Sequence, residues 1–367
     1  MKKTAGIIIG VVAALMLVSA AYVHSMSKKP VVKDTFRIGM IAPLTGDAGF
    51  VGVGMKNALL MAREQWGDGK YNYEFVFEDD QLDPKLSASA AQKLLNVDKV
   101  DAIVTVGHAP RITVPLARQY DIIHFAIAVQ KDIPDGVNNF SHWAPSVKLN
   151  GLLIKEMQKR GIKKVGVFRT TSLEAWVAYY NDFLEGIKNT DIRVVTDQTF
   201  KKGEKDFRSL IARAKPTNPD IYLIFVETPE LEIVAKQIRE AGINTPFTTL
   251  EGFEVTEQPE LFEGYWYVSP VEPSEEFSKA YEAKFGKRPP VCSPNAYDIF
   301  NLLATAVERA GSSPSKKPAT AQIARELKKI KSFPGALGDL LVSDNGMVMS
   351  GVQVKMIKNG KPIALEH

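Results

Sequence analysis

The stretch Asp101 to Ala128, "DAIVTVGHAPRITVPLARQYDIIHFAIA", decides how this chain folds. Ala102 to Val106 is a short apolar run rich in β-branched residues, Gly107 turns it, and helical spacing follows through Thr113 to Tyr120. Ile122 to Ala128 is then apolar again. Two buried strands joined by a helix-length crossover lie parallel, because the helix carries the chain back to the end of the sheet where it started. Ligands of such sheets bind beyond the carboxyl ends of the strands, where loops expose amide donors and helix N-termini. The corner in this stretch holds His108, Pro110 and Arg111.

The same unit recurs on both sides. Upstream, "FRIGMIAP" and "YEFVFEDD" read as strands, and "GMKNALLMAREQW" and "PKLSASAAQKLL" as helices. Downstream the cycle restarts with the helix "KLNGLLIKEMQKRG" and the strand "KKVGVFR", and it continues through "DIYLIFV", "PELEIVAKQIREAG" and "PFTTL". Alternation of this kind calls for parallel sheets covered by helices on both faces, and the restart calls for a second α/β lobe. A largely helical segment follows, and "VQVKMIKNGKPIAL" closes the chain as a hairpin turning at Asn359-Gly360. Gly311 to Thr320, "GSSPSKKPAT", reads as a surface loop.

At 367 residues the chain exceeds what one hydrophobic core usually supports, which agrees with two lobes. Its 45% apolar and 24% charged content is that of an ordinary globular protein, and a formal charge of +4 that includes Lys2 and Lys3 gives no reason to expect a nucleic-acid partner. "MKK" followed by the apolar run Ala5 to Val23 reads as an export signal, with cleavage after Ala20 or Ser25 and a tether over 26–35. Retained, the same run is long enough to be a membrane anchor. The single cysteine, Cys292, excludes an internal disulfide and a thiolate metal cluster within one chain. "LEH" at the end is either native or the start of a tag.

Several catalytic or cofactor readings fail on detail. "GFVGVGMKNA" has Asn57 where a dinucleotide fold needs its third glycine, and no phosphate-loop or Gly-x-Ser-x-Gly pattern occurs. His108, His124 and His142 lack the spacing of metal ligands, and His124 sits in an apolar strand as a core residue. No metal, no cofactor and no enzymatic activity are expected.

"APLTG" after the first strand, "EDDQLDPKLSASAAQKLL", "GEKDFRSLIARAK", "EIVAKQIREAG" and "FPGALGDLLVSDNG" occur in an order that resembles the periplasmic leucine/isoleucine/valine-binding proteins. These are type I solute-binding proteins of ABC importers, and the likeness extends over nearly the whole chain after the tether. It implies two doubly wound parallel-sheet lobes joined by a three-strand hinge, closing on a small polar solute such as an amino acid. The implied lobes are 36–144 with 271–336, and 145–270 with 337–367. Crossings are expected near "FSHWAPS", "YWYVSPV" and "GALGDLL". The resemblance also implies an extracytoplasmic monomer that delivers its solute to an ABC permease. A ligand-sensing domain of a membrane-bound signalling complex is the alternative if the N-terminal run stays as an anchor.

By position, the resemblance places Arg111 where the family offers a hydroxyl to the solute carboxylate, and Ala128 and Val129 where it offers a threonine. Glu251 keeps the family's acid, the partner of an ammonium. Glu227 replaces an aromatic, Trp176 falls near another, and Phe50 or Val51 lies at an apolar lid. Arg111 is therefore expected to grip a carboxylate with its planar fork, opposite Glu251 and Glu227. Four plainer roles stand beside these: Arg111 as a surface pair or as a latch to a glutamate across the cleft, Glu227 as a favourable charge at a helix N-terminus, and His108 as a support for its loop.

Overall fold

The computed structural model describes residues 32–254, 256 and 258–365. The export segment and its cleavage positions, most of the tether, and residues 366–367 lie outside the described residues.

The first half is a run of strand-helix units: β1 (Thr35–Ala42), α1 (Gly49–Trp66), β2 (Asn72–Asp79), α2 (Pro84–Asn96), β3 (Ala102–Val106), α3 (Ala109–Tyr120), β4 (Ile123–Ile127) and β5 (Asn139–His142). Local chemistry sets the boundaries. Asp83 caps α2 by accepting from the amides of Lys85 and Leu86 at 2.7 and 3.1 Å, with Pro84 as the first helical residue. Gly107 turns the chain out of β3 at φ +71°, and a Cβ there would come within 2.4 Å of Leu82. α1 begins at Gly49, a turn earlier than its apolar spacing suggests, since Gly52 lets the helix lie against the carbonyl of Pro43.

Eight strands make the first sheet, in the order β11-β12-β13-β5-β4-β3-β1-β2, and β1 pairs in parallel with both β2 and β3. The order reverses at β1, so the loops after β1 and β3 flank a crevice. Core residues cover both faces. Met55, Leu59 and Ala62 of α1 lie with Ile299, Leu303 and Val307 of α9 (Ser293–Ala310) on one side, and Leu94 of α2 with Ala117 of α3 on the other.

The second lobe repeats the plan with α4 (Ser146–Lys159), β6 (Lys164–Thr170), α5 (Glu174–Ile187), β7 (Arg193–Phe200), α6 (Arg208–Ala214), β8 (Ile221–Phe225), α7 (Glu230–Glu240) and β9 (Phe247–Thr248). Its sheet runs β7-β6-β8-β9, and a bridge from Leu250 to Val268 continues it onto β10 (Trp266–Pro270), which pairs with β14 (Val352–Lys358) and through it with β15 (Lys361–Ala364). Asn359 and Gly360, at φ 53° and 68°, make the tight turn between β14 and β15. Between β10 and β14 the chain returns to the first lobe as α8 (Glu275–Phe285), α9 and α10 (Thr320–Lys328).

Three segments join the lobes: 143–145 after β5, 271–273 after β10, and 350–351 before β14. The last corrects the crossing expected at "GALGDLL" and the lobe boundary at 336. β11 (Phe333–Gly335), β12 (Gly338–Val342) and β13 (Met347–Met349) form antiparallel pairs, and β13 pairs in parallel with β5. The first sheet therefore keeps the chain until Met349. Three-residue strands are too short to show a period, and glycines at 335 and 338 read as a connection when they are a hairpin turn inside the sheet.

Candidate functional site

Beside the first two crossings the lobes flank a cavity of about 270 Å³. Trp143 and Ala144 of the first crossing, 270–273 of the second and Leu337 line it, together with the proline-rich turn 289–295 that leads into α9. Glu251 is its second-lobe wall.

Glu251 stands in the turn after β9 at φ +61°, and its amide donates to the carbonyl of Val268 at 2.9 Å, which fixes that turn to β10. Its Oε1 accepts from the indole Nε1 of Trp143 at 3.1 Å and from the hydroxyl of Tyr179 at 3.0 Å. One donor comes from the hinge and the other from α5, so the carboxylate is held by both sides of the joint. Its charge is felt around it. Burial and then the Glu251 charge push the Tyr179 hydroxyl well above its ordinary range, and the same two causes push the Cys292 thiol up to about 12. Cys292 is a buried neutral thiol on the cavity wall.

Glu227 follows β8 and accepts from the Trp176 indole at 2.8 Å, with Lys202 at 3.7 Å. Trp176 meets Tyr179 edge to face, ring centres 5.6 Å apart. Glu227, Trp176, Tyr179, Glu251 and Trp143 are thus a continuous line of alternating acids and aromatics across the second-lobe wall.

The first-lobe wall differs. Pro110 is buried in the first turn of α3, while His108 is exposed and Phe50, at the start of α1, is 57% exposed. Val129 is buried within the second lobe's apolar core, with Ala128 half-buried beside it. Arg111 directs its fork at Asp132 of its own lobe, with N–O distances of 2.6 and 3.1 Å, and its Nε donates to Glu174 of α5 at 3.1 Å. Gln130 donates to the same Glu174 at 3.2 Å, and Lys131 reaches Asp182 of α5 at 3.1 Å. Hydrogen bonding to Asp132 raises the Arg111 pKa, and Arg111 in turn lowers that of Asp132.

This arrangement separates residues that the sequence reading set face to face. Glu251 lines the hinge cavity, whereas Arg111 lines a different groove of about 310 Å³ with Gln130, Asp132 and Glu174. The guanidinium bonds across the lobes to Glu174, and its two-nitrogen edge is occupied by Asp132. Trp143, Tyr179, Asp132 and Glu174 went unnoticed in the sequence. Trp143 lay inside the expected first crossing, and Tyr179 is one helical turn from Trp176, so both had a signal. Asp132 and Glu174 had none: the first meets Arg111 through the folding of the loop after β4, and the second only where the lobes approach. Among the described residues no group of three or more His, Cys, Asp or Glu side chains is placed to hold a metal, and no helix is long and apolar enough to cross a membrane.

A family description of periplasmic binding proteins matches residues 35–361. The Leu/Ile/Val-binding protein BraC3 of Rhizobium johnstonii is 24% identical over 359 residues, 92% of this chain and 95% of that one. Among solved structures, the leucine-binding protein LivK of Thermotoga maritima superposes with a TM-score of 0.80 at 24% identity, covering 90% of this chain and 98% of the other. The branched-chain amino-acid substrate-binding protein LivJ of Streptococcus pneumoniae, in complex with isoleucine, gives 0.77 at 22% identity, covering 90% and 99%.

Proposed function

The chain belongs to the periplasmic binding protein family, and on that premise we propose that it is the solute-binding component of an ABC importer, exported by its N-terminal segment and working outside the cytoplasmic membrane. Its family consists of binding proteins, and we assign it no reaction. The observation that carries the reading is the cavity at the hinge, walled by the first two crossings, with the Glu251 carboxylate fixed on it by Trp143 and Tyr179. The solute is a small molecule of the amino-acid or amine class whose cationic group meets Glu251, in keeping with the amino-acid names of the relatives.

Binding works through the joint. A solute in this cavity touches both lobes, so it stabilises the arrangement in which they meet over the arrangement in which they part, and the permease reads that shift. Arg111, Gln130 and Lys131 help by closing onto Glu174 and Asp182 as the lobes approach. Micromolar affinity needs about 8 kcal/mol, of which a charge-assisted hydrogen bond to Glu251 contributes about 1.5–3. The test is calorimetry of the purified protein against a panel of amino acids and amines, with small-angle scattering of the same samples. Micromolar binding accompanied by a more compact particle is expected, and a particle that keeps one shape with every solute of the panel and binds none overturns the reading.

A further inference from the structure

We infer that the lobes form a second binding site, on the seam between them beside the first crossing, and that it takes an aliphatic monocarboxylate. The site is separate from the hinge cavity and stands on other residues.

A groove of about 360 Å³ runs along this seam and shares no lining residue with the hinge cavity. Its walls come from both sides: Val129, Met347 and Met349 from the first lobe, and Ser146, Val147 and Lys148, the first turn of α4, from the second. The groove is therefore complete only where the lobes approach. Most of its wall is carbon, with Pro145 at the crossing itself and Val147 62% exposed. Covering such a surface with a hydrocarbon chain is favourable, since it releases the water in contact with it.

The polar groups of the groove select an anion. Two cations, Lys131 and Lys148, stand there with one acid, Asp182. Lys131 is bonded to Asp182 at 3.1 Å, whereas Lys148 donates to the carbonyl of Ser350 at 2.6 Å and, among the described residues, has no acid in ion-pair range. An ammonium carries three donors, so Lys148 keeps two for a ligand. Beside it α4 opens without a side-chain cap and without an acid in its first turn, so the positive end of the helix meets the groove uncompensated. A buried hydroxyl agrees with this. Strand register sets Ser141 of β5 opposite Met347, and paired residues of neighbouring strands share a face. Ser141 is 1% exposed and its hydroxyl has no hydrogen-bond partner, on the face of the sheet that supplies Met347 and Met349 to the groove. A carboxylate at the first turn of α4 meets Lys148 and the helix amides, and its chain lies along Val129 and the two methionines. An amine of the same length would bring a third cation to that end, and an alcohol would leave Lys148 unanswered.

Methionine methyl groups report this site directly. The protein, isotope-labelled at its methionine methyls, is titrated with hexanoate, hexanol and hexylamine under nuclear magnetic resonance, and the Met347 and Met349 signals are assigned with Met347→Leu and Met349→Leu. Hexanoate is expected to shift both signals to saturation, with an affinity at least tenfold above that of the alcohol or the amine. Lys148→Gln, which keeps a donor for Ser350, should lower hexanoate affinity about tenfold. Val147→Glu puts an acid at an exposed position where it favours the helix, so it should abolish hexanoate binding while unfolding no lower than the wild type. If that variant unfolds early, Lys148→Gln decides alone. Met347 and Met349 signals that hexanoate leaves unmoved, an alcohol or amine that shifts them as strongly, or undiminished hexanoate affinity in the deciding variant overturns the inference. Each of those results leaves the solute reading of the hinge cavity as it was.

Discussion

The two lobes share a plan and use their polar side chains differently around the cleft. In the first lobe the polar groups are inside. His124 on β4 bonds Thr105 of β3 at 2.7 Å and Asn139 of β5 at 2.8 Å, and His142 lies 3.3 Å from Asp298, all fully buried. On its side of the cleft Arg111, Gln130 and Lys131 are spent on acids. The second lobe also buries polar groups, Asn150 and Glu156 among them, and it brings the further acids Glu227 and Glu251 towards the cleft, each held by a tryptophan indole. The difference teaches that one lobe is a frame whose polar residues tie strands together, and the other is, on the function proposed above, the reader that carries the recognition groups.

The largest effect expected from this division is on stability. Burial holds the His124 pKa down to about 4, against an unfolded value near 6.5, although Asn139 and the charge of Asp135 pull it upward. The folded state therefore favours the neutral ring. Below about pH 6.5 the unfolded chain takes up a proton that the folded chain refuses, so stability falls as pH drops from 6.5 to 4, by roughly 3 kcal/mol, and is unchanged by this group above 6.5. Hydrogen exchange at pH 7 and pH 4.5, corrected for intrinsic rates, should show the amides of β3–β5 losing protection before those of β6–β9. Equal loss in both sheets would break the division. The next effect falls on the reader. Glu251→Gln should weaken solute binding by tenfold to a hundredfold, the equivalent of about 1.5–3 kcal/mol, with little change in unfolding temperature, as read by calorimetry and thermal denaturation.

How much of this could be read beforehand followed from the range of the forces involved. Asp101 to Ala128 announced its strand-helix-strand unit because apolar spacing and a glycine turn act over a few residues, and the resulting βαβ pairing is observed between β3 and β4. β12 and β13 left no such trace, being short strands that exist only because β5 offers an edge. Glu251 could be found by its flanking "TTL" and "GF", but its donors could not, since Trp143 reaches it across 108 residues of sequence. Arg111 shows the limit most clearly. Its sequence left the partner open, because a guanidinium at that corner reaches Asp132 through the fold of its own lobe and Glu174 only where the distance between lobes closes.

That distance also separates the two smaller effects. Arg111 and Lys131 both reach from the frame to α5 of the reader, so either could be taken as the closing device. Arg111 is 43% exposed and makes one bond to α5, through its Nε to Glu174, while its paired fork on Asp132 of the first lobe holds the guanidinium plane in place for that bond. Lys131 is 69% exposed and makes one contact to Asp182 on a flexible stem. Exposed pairs contribute about 0–1 kcal/mol, with paired arginine geometry at the upper end. Arg111→Met should therefore reduce solute affinity about fivefold, an effect near 1 kcal/mol. Lys131→Met should reduce it less than twofold, below about 0.4 kcal/mol. Raising salt from 0.1 to 1 M shortens the screening length from about 10 to 3 Å, so it should erase most of the Arg111→Met difference while sparing the loss in Glu251→Gln, whose partner is enclosed. If Lys131→Met matched Arg111→Met, closure would depend on net charge across the gap, and the specific geometry at Arg111 would be incidental.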